Sequence, residues 1–204
     1  MAGLRERKKE RTRRLIASVA LELFAERGFD AVTVNEIADA ADVAKATLFA
    51  YFPTKESLVL DGVAGDDLAG IVAGRPSGTT CLEALRAHHR ALAAGRLPDS
   101  ALEPLLTRVR VIQGDPALRG AAEALLYRQR DQLAEVLSED HGERVAALVA
   151  AQVAASQLAL QESFFRRLLD GASAAEAGRA LAADVELAFD LLEHGLAHTA
   201  TERH

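Results

Sequence analysis

The chain has 204 residues, a formal net charge of −6, and a composition that is half hydrophobic yet only 4% aromatic, with one cysteine and no tryptophan. That length supports one large domain or two small ones, each with its own core. The lone cysteine excludes an internal disulfide, and the prevalence of Ala, Leu, Glu and Arg, all strong helix formers, points to an all-α protein.

No apolar core follows the basic N-terminus as a secretory signal would require. The longest apolar stretch, residues 145–160, is interrupted by Gln152, Ser156 and Gln157 and is short for a bilayer span. A buried helix, a cytoplasmic location and no membrane partner are therefore expected. The net charge hides an asymmetry. Residues 1–14 hold seven Lys or Arg against two Glu, and residues 1–60 hold ten basic against nine acidic residues, which leaves −7 for the remainder. A basic terminus on an acidic body suits a protein that meets nucleic acid at one end.

In chain order, the first helix is predicted from about Glu10 to Glu26. Leu15, Val19 and Leu23 recur beside Ile16, Ala20 and Phe24 as one apolar stripe, and Gly28 ends the helix as a C′ glycine. Thr33-Val34-Asn35-Glu36 has the form of a capping box and opens a short helix to about Ala41. Asp42-Val43 makes a turn, and a third helix runs from about Ala44 to Phe52, where Pro53 stops it. Thr54 caps a fourth helix starting at Lys55. After a break at residues 75–78, Thr80 with Glu83 opens a helix to about Ala94. Ser100 with Glu103 opens one to about Gln113, and Asp115-Pro116 one to about Ser138. Residues 143–169 form a long helix ended by Gly171. Ser173 with Glu176 caps the last helix, to about Ala197, and residues 199–204 should fray. Nine helices and no strand are predicted.

Two short helices joined by a tight turn carry the functional signal. Ile37, Ala38 and Val43 are apolar, and Leu48 and Phe52, four residues apart, face the core from the third helix. Lys45, Ala46, Thr47, Ala50 and Tyr51 are left around the exposed side, where small and hydrogen-bonding side chains suit entry into a major groove.

The segment Gly28-Phe29-Asp30-Ala31-Val32-Thr33-Val34-Asn35-Glu36-Ile37-Ala38, then Ala41-Asp42-Val43, Thr47-Leu48-Phe49 and Tyr51-Phe52-Pro53-Thr54-Lys55-Glu56-Ser57-Leu58, resembles the DNA-binding domain of the tetracycline-repressor (TetR) family, without a gap over residues 11–60. The resemblance implies a helix-turn-helix domain with a basic N-terminal arm over residues 1–55 and a helical ligand-binding and dimerisation domain over residues 56–204. It implies that Thr33 caps the second helix and touches a phosphate, that Lys45, Ala46 and Thr47 read bases, and that Tyr51 and Lys55 anchor phosphates. Arg11, Arg13 and Arg14 would add backbone or minor-groove contacts. Three positions depart from the family pattern. Asp42 stands where a turn glycine is usual, although Asp tolerates the left-handed conformation. Ala44 replaces a frequent Ser and so removes a cap. Ala50 stands where a larger polar residue is frequent.

A single reading head contacts few bases, and a dimer solves this by reading two half-sites. Phe165 and Leu169 near Leu158 on the eighth predicted helix, and Val185 and Leu192 on the ninth, are the interface candidates, although both stripes must also close the monomer core. Cys81, His88, His89, Arg108, Tyr127, Gln157, Gln161 and Phe164 are candidates for a ligand pocket with apolar walls and a few polar groups. The run Arg108-Val109-Arg110-Val111-Ile112, followed by Asp115-Pro116-Ala117-Leu118-Arg119, is similar to a mainly actinobacterial subgroup associated with acyl-CoA-like ligands.

The expected function is a homodimeric repressor of a palindromic double-stranded operator, released by a small hydrophobic or acyl-CoA-like effector. The alternative is a ligand-independent activator or architectural factor. No metal-ligand spacing, phosphate-binding glycine loop or nucleophile elbow is found, and the neighbours of Cys81 supply no activating base. No enzyme activity, cofactor or metal is therefore expected.

Overall fold

The computed structural model describes residues 2–61, 66–95 and 97–195. Among the described residues there are ten helices and no strand: α1 (Ala2–Arg27), α2 (Val34–Ala40), α3 (Lys45–Tyr51), α4 (Ser57–Leu60), α5 (Leu68–Ala73), α6 (Cys81–Ala94), α7 (Asp99–Gly114), α8 (Pro116–His141), α9 (Glu143–Leu169) and α10 (Ala174–His194). The predicted fourth helix is the one that divides. Asp61, with φ −62° and ψ 122°, leaves the helical region and closes α4. The Asp67 carboxylate accepts from the Gly70 amide at 2.8 Å and opens α5. The expected fraying of residues 199–204 lies outside the described residues.

The predicted arm is helical. α1 starts at Ala2 rather than Glu10, because the intervening residues are mostly good helix formers and Arg14 donates to Glu10 at 2.8 Å in the favourable i,i+4 order. Gly28, at φ +83°, ends it as expected.

By packing, the chain divides into two units: Met1–Gly65 with Glu103–Ala124, and Asp66–Leu102 with Leu125–His204. This partition cuts elsewhere than the functional boundary expected at 55/56. In the first unit Ile16, Ala20 and Phe24 of α1 meet Phe29, Val32, Ile37, Ala38, Leu48 and Phe52, and Leu58, Val59 and Leu118 complete the core. Burying each large aliphatic or aromatic side chain contributes about 1.5–3 kcal/mol. The apolar stripe of α1 is narrower than its sequence implies, for Leu15 is 48% exposed.

In the second unit Leu68, Val72, Leu85, Leu133, Leu137, Val185 and Phe189 pack on α9. α9 buries Ala146, Ala150, Val153, Gln157 and Leu160, a spacing that alternates four and three and so keeps one face inward. At 27 residues this helix is long and apolar enough to cross a membrane by length and composition. α6 and α10 are joined by charge. Arg86 pairs with Asp190 and Glu193 and donates to the Glu186 carbonyl at 3.2 Å, and Arg90 forks onto the Glu186 carboxylate at 2.5 Å.

Candidate nucleic-acid interface

The entry to α2 is fixed by side chains. The Thr33 hydroxyl accepts from the Glu36 amide at 3.3 Å and donates to Glu36 Oε2 at 2.7 Å, while the Thr33 amide donates to the same oxygen at 2.7 Å. Arg27, the last residue of α1, donates to Glu36 Oε1 at 2.8 Å and to the Ala31 carbonyl at 3.2 Å. The Thr33 amide and hydroxyl, and after them Arg27, lower the Glu36 pKa to about 2. The end of α1 and the start of α2 are thereby tied through one carboxylate.

The turn between α2 and α3 rests on Asp42, whose φ of 53° makes it the one described non-glycine residue in the left-handed region. The Val43 amide donates back to the Ala38 carbonyl at 3.0 Å and closes the turn. Asp42→Gly should raise stability by up to about 1 kcal/mol. Asp42→Val should lower it by about 1–2 kcal/mol, because a branched side chain clashes there. Thermal unfolding of the two variants checks this, and equal midpoints would show that the turn carries no strain.

α3 starts without a side-chain cap, since Ala44 has none to offer. Its backbone carbonyl receives the Thr47 and Leu48 amides at 2.8 and 3.1 Å. Leu48 is fully buried and Phe52, just past the helix, nearly so. Lys45, Ala46, Thr47, Phe49 and Ala50 are all exposed, and Tyr51 is half-buried. Phe49, outside the set expected from the sequence, is 40% exposed and has the Lys45 ammonium 6.0 Å from its ring centre. One step round the helix from inward-facing Leu48, it offers an apolar face of the kind that meets a thymine methyl. Tyr51 lines an open groove of about 730 Å³ together with Arg7, Lys9, Arg11, Arg13 and Arg14 of α1, with Glu6 and Glu10 among them. The basic side chains of α1 thus gather beside α3.

Two expected contacts are differently placed. Arg13 is half-buried and already paired. Its guanidinium stacks 5.1 Å over Phe52 and forks onto the Asp61 carboxylate, with Nε at 2.8 Å from Oδ2, and that hydrogen-bonded pairing raises its pKa. Lys55 does not begin the fourth helix, because α4 starts at Ser57 after a turn held by Thr54 Oγ1 and the Ser57 amide at 3.1 Å. Its ammonium donates to the Phe29 carbonyl at 2.5 Å and lies 4.2 Å from the Phe29 ring centre. Both cations brace the first unit.

The pocket candidates fall in both units. Arg108 belongs to the first unit, where it donates to the Asp61 carbonyl at 2.9 Å and burial lowers its pKa. Tyr127 is 60% exposed with Arg130 over its ring, a surface position rather than a pocket wall. In the second unit Cys81 and Gln157 are buried, and Gln161 and Phe164 are half-buried. His88 Nε2 lies 2.8 Å from Asp66 Oδ2. His89 is buried against Phe189, hydrogen-bonds the Leu85 carbonyl through Nδ1 at 2.8 Å, and has its pKa lowered by that burial.

Among the interface candidates Val185 is buried within its own unit. It is 1% exposed in that core and has no surface to present. Phe165, Leu169 and Leu192 are half-buried. Outward apolar side chains on these helices are Val145, Leu148 and Leu158 of α9 and Leu187 of α10. An open groove between these helices is lined by Ala159, Leu160, Leu187, Ala188, Leu191 and Leu192.

The model of the family described as bacterial regulatory proteins, tetR family, matches residues 16–61, the segment from the buried face of α1 to the end of α4. The HTH-type transcriptional regulator TcmR of Streptomyces glaucescens is 37% identical over 154 residues, which cover 74% of this chain and 64% of TcmR. The chain therefore spans slightly less than two thirds of that relative. The transcriptional regulator MftR of Mycobacterium tuberculosis is 28% identical over 192 residues, 93% of each chain. In fold, the chain resembles the crystal structure of NalD, the secondary repressor of the MexAB-OprM multidrug efflux pump in Pseudomonas aeruginosa, with a TM-score of 0.56, 20% identity, and coverage of 93% of this chain and 97% of that one. With its capped second helix, its left-handed turn and its outward-facing third helix, the segment 16–61 is a DNA-binding domain of the tetR family of bacterial regulatory proteins.

Proposed function

We infer that the chain is a homodimeric transcriptional repressor that reads a palindromic operator and acts in the cytoplasm. The observation that carries this is the outward set of Lys45, Ala46, Thr47, Phe49 and Ala50 on α3, with Tyr51 beside the basic residues of α1. In this reading α3 enters the major groove, Lys45 and Thr47 supply hydrogen bonds to base edges, and Tyr51, Arg11 and Arg14 hold phosphates. Thr33 reaches a phosphate only by giving up its bond to Glu36. The names of TcmR and NalD, a transcriptional regulator and a repressor, support the assignment at the level of regulation.

The dimer uses the outer faces of α9 and α10, with Leu158, Leu187 and Leu192 at its centre. Functional residues 1–55 read DNA, and residues 56–204 pair the chains and receive the effector, a small hydrophobic or acyl-CoA-like molecule as the resemblance of residues 108–119 implies. Such a molecule releases DNA only to the extent that it binds the non-operator state more tightly.

Fluorescence titration of the full chain with duplex DNA from upstream of its own gene, at low salt, tests the reading. Binding should require a palindrome with half-sites about 34 Å apart or a multiple of that, with two chains per site. It should weaken when a long-chain acyl-CoA is added. Folded protein that binds that DNA no better than a scrambled duplex would overturn the assignment. Tight binding indifferent to acyl-CoA and fatty acids would remove the effector class and leave the DNA reading standing.

A further inference from the structure

Sequence spacing hides one cluster, because its members are 60 residues apart. Cys81 is the first residue of α6, and Asp140 and His141 are the last two of α8. Cys81 Sγ and His141 Nε2 are 3.9 Å apart, and a carboxylate oxygen of Asp140 joins them so that all three atoms lie within 4.8 Å of one another. We propose that these three side chains bind a thiophilic divalent cation of the class to which Zn²⁺ belongs.

The donor set fits that class. Thiolate, imidazole and carboxylate are the ligands of a borderline-soft ion, with metal–donor bonds of about 2.0–2.3 Å. At tetrahedral angles such bonds hold donor atoms about 3.3–3.6 Å apart, so the trio is wider than a loaded site by at most roughly an ångström. The surroundings prepare each ligand. Arg75 pairs with Asp140 while donating to the Val72 and Thr79 carbonyls at 2.7 and 3.2 Å, which aims the carboxylate as an outer-shell partner does. Cys81 is the first residue of a 14-residue helix and is buried, which fixes its place beside the end of α8. Cys81 and His141 share an open groove of about 690 Å³ whose charged lining is Arg86, Arg90, Glu83 and Glu193, so a fourth position stays open to water or a small ligand. Uptake of the ion releases the thiol proton to solvent and fastens the start of α6 to the end of α8. A second trio, Asp190, Glu193 and His194, also brings its donors within 4.8 Å, but it has no sulfur donor.

Titration of the full, metal-stripped chain with Co²⁺ reads the site directly. One ion per chain should bind with a sulfur-to-metal charge-transfer band, and Zn²⁺ should displace it. Cys81→Ser should abolish the band. His141→Gln, at an exposed position, should lower affinity by more than the roughly 10–100-fold that an outer-shell change costs. Both variants are checked for folding by circular dichroism without metal, and if Cys81→Ser does not fold, His141→Gln decides alone. Folded wild-type chain that gives no sulfur band, or uptake that survives His141→Gln, would overturn the proposal, the latter by putting the ion on another cluster.

Discussion

Leu48→Ala should abolish operator binding without removing any atom that faces DNA. Leu48 is fully buried at the point where α3 meets Ile37, Phe52 and the α1 side chains of the first core. Truncating a leucine in such a site costs about 2–5 kcal/mol, the lost transfer energy plus that of the cavity left behind. Against a typical total of about 5–15 kcal/mol, this is a large share, and the unfolding midpoint should drop by on the order of 10 °C. Because α3 has seven residues and no side-chain cap, it does not persist as an isolated helix. Its readers therefore lose their alignment as soon as the anchor loosens. Denaturant unfolding and a DNA titration on the same variant check the claim, and a loss of stability under about 1 kcal/mol would show that α3 is held by something other than Leu48.

Lys45→Ala should have the opposite profile. Its ammonium is exposed, with only a distant ring as neighbour, so the unfolding midpoint should stay within the small range of surface changes. Loss of a good base contact costs about 1–3 kcal/mol per half-site. A dimer loses it twice, and affinity for the palindrome should fall roughly 30- to 10⁴-fold. Discrimination at the contacted base pair should relax at the same time, as seen by titrating operators altered at single positions. A variant that binds uniformly more weakly to every sequence would reassign Lys45 to a phosphate.

The sequence was most legible where structure is local. The capping boxes at Thr33, Thr80 and Ser173 form as read, because each is closed by side chains three residues apart. Asp42 takes the left-handed turn, a conformation that a short polar side chain tolerates. What the sequence concealed are the partners of long, charged side chains. Arg13 meets Asp61 across 48 residues and Lys55 meets the Phe29 carbonyl across 26. Both read as free cations until tertiary packing brings a carboxylate and a carbonyl within reach. The same holds for Cys81 and His141, and for Val185, whose apolar spacing serves the core as well as it would serve a partner.

The single-anchor seating of α3 has a consequence for divergence. Leu48, with half of Tyr51, holds the helix, and the remaining five side chains are exposed. Substitution at those five positions leaves the packing of the core intact. A duplicated copy of the gene can thus drift to a new target sequence one residue at a time, each intermediate remaining folded, while its inherited scaffold and oligomeric surface stay under separate selection.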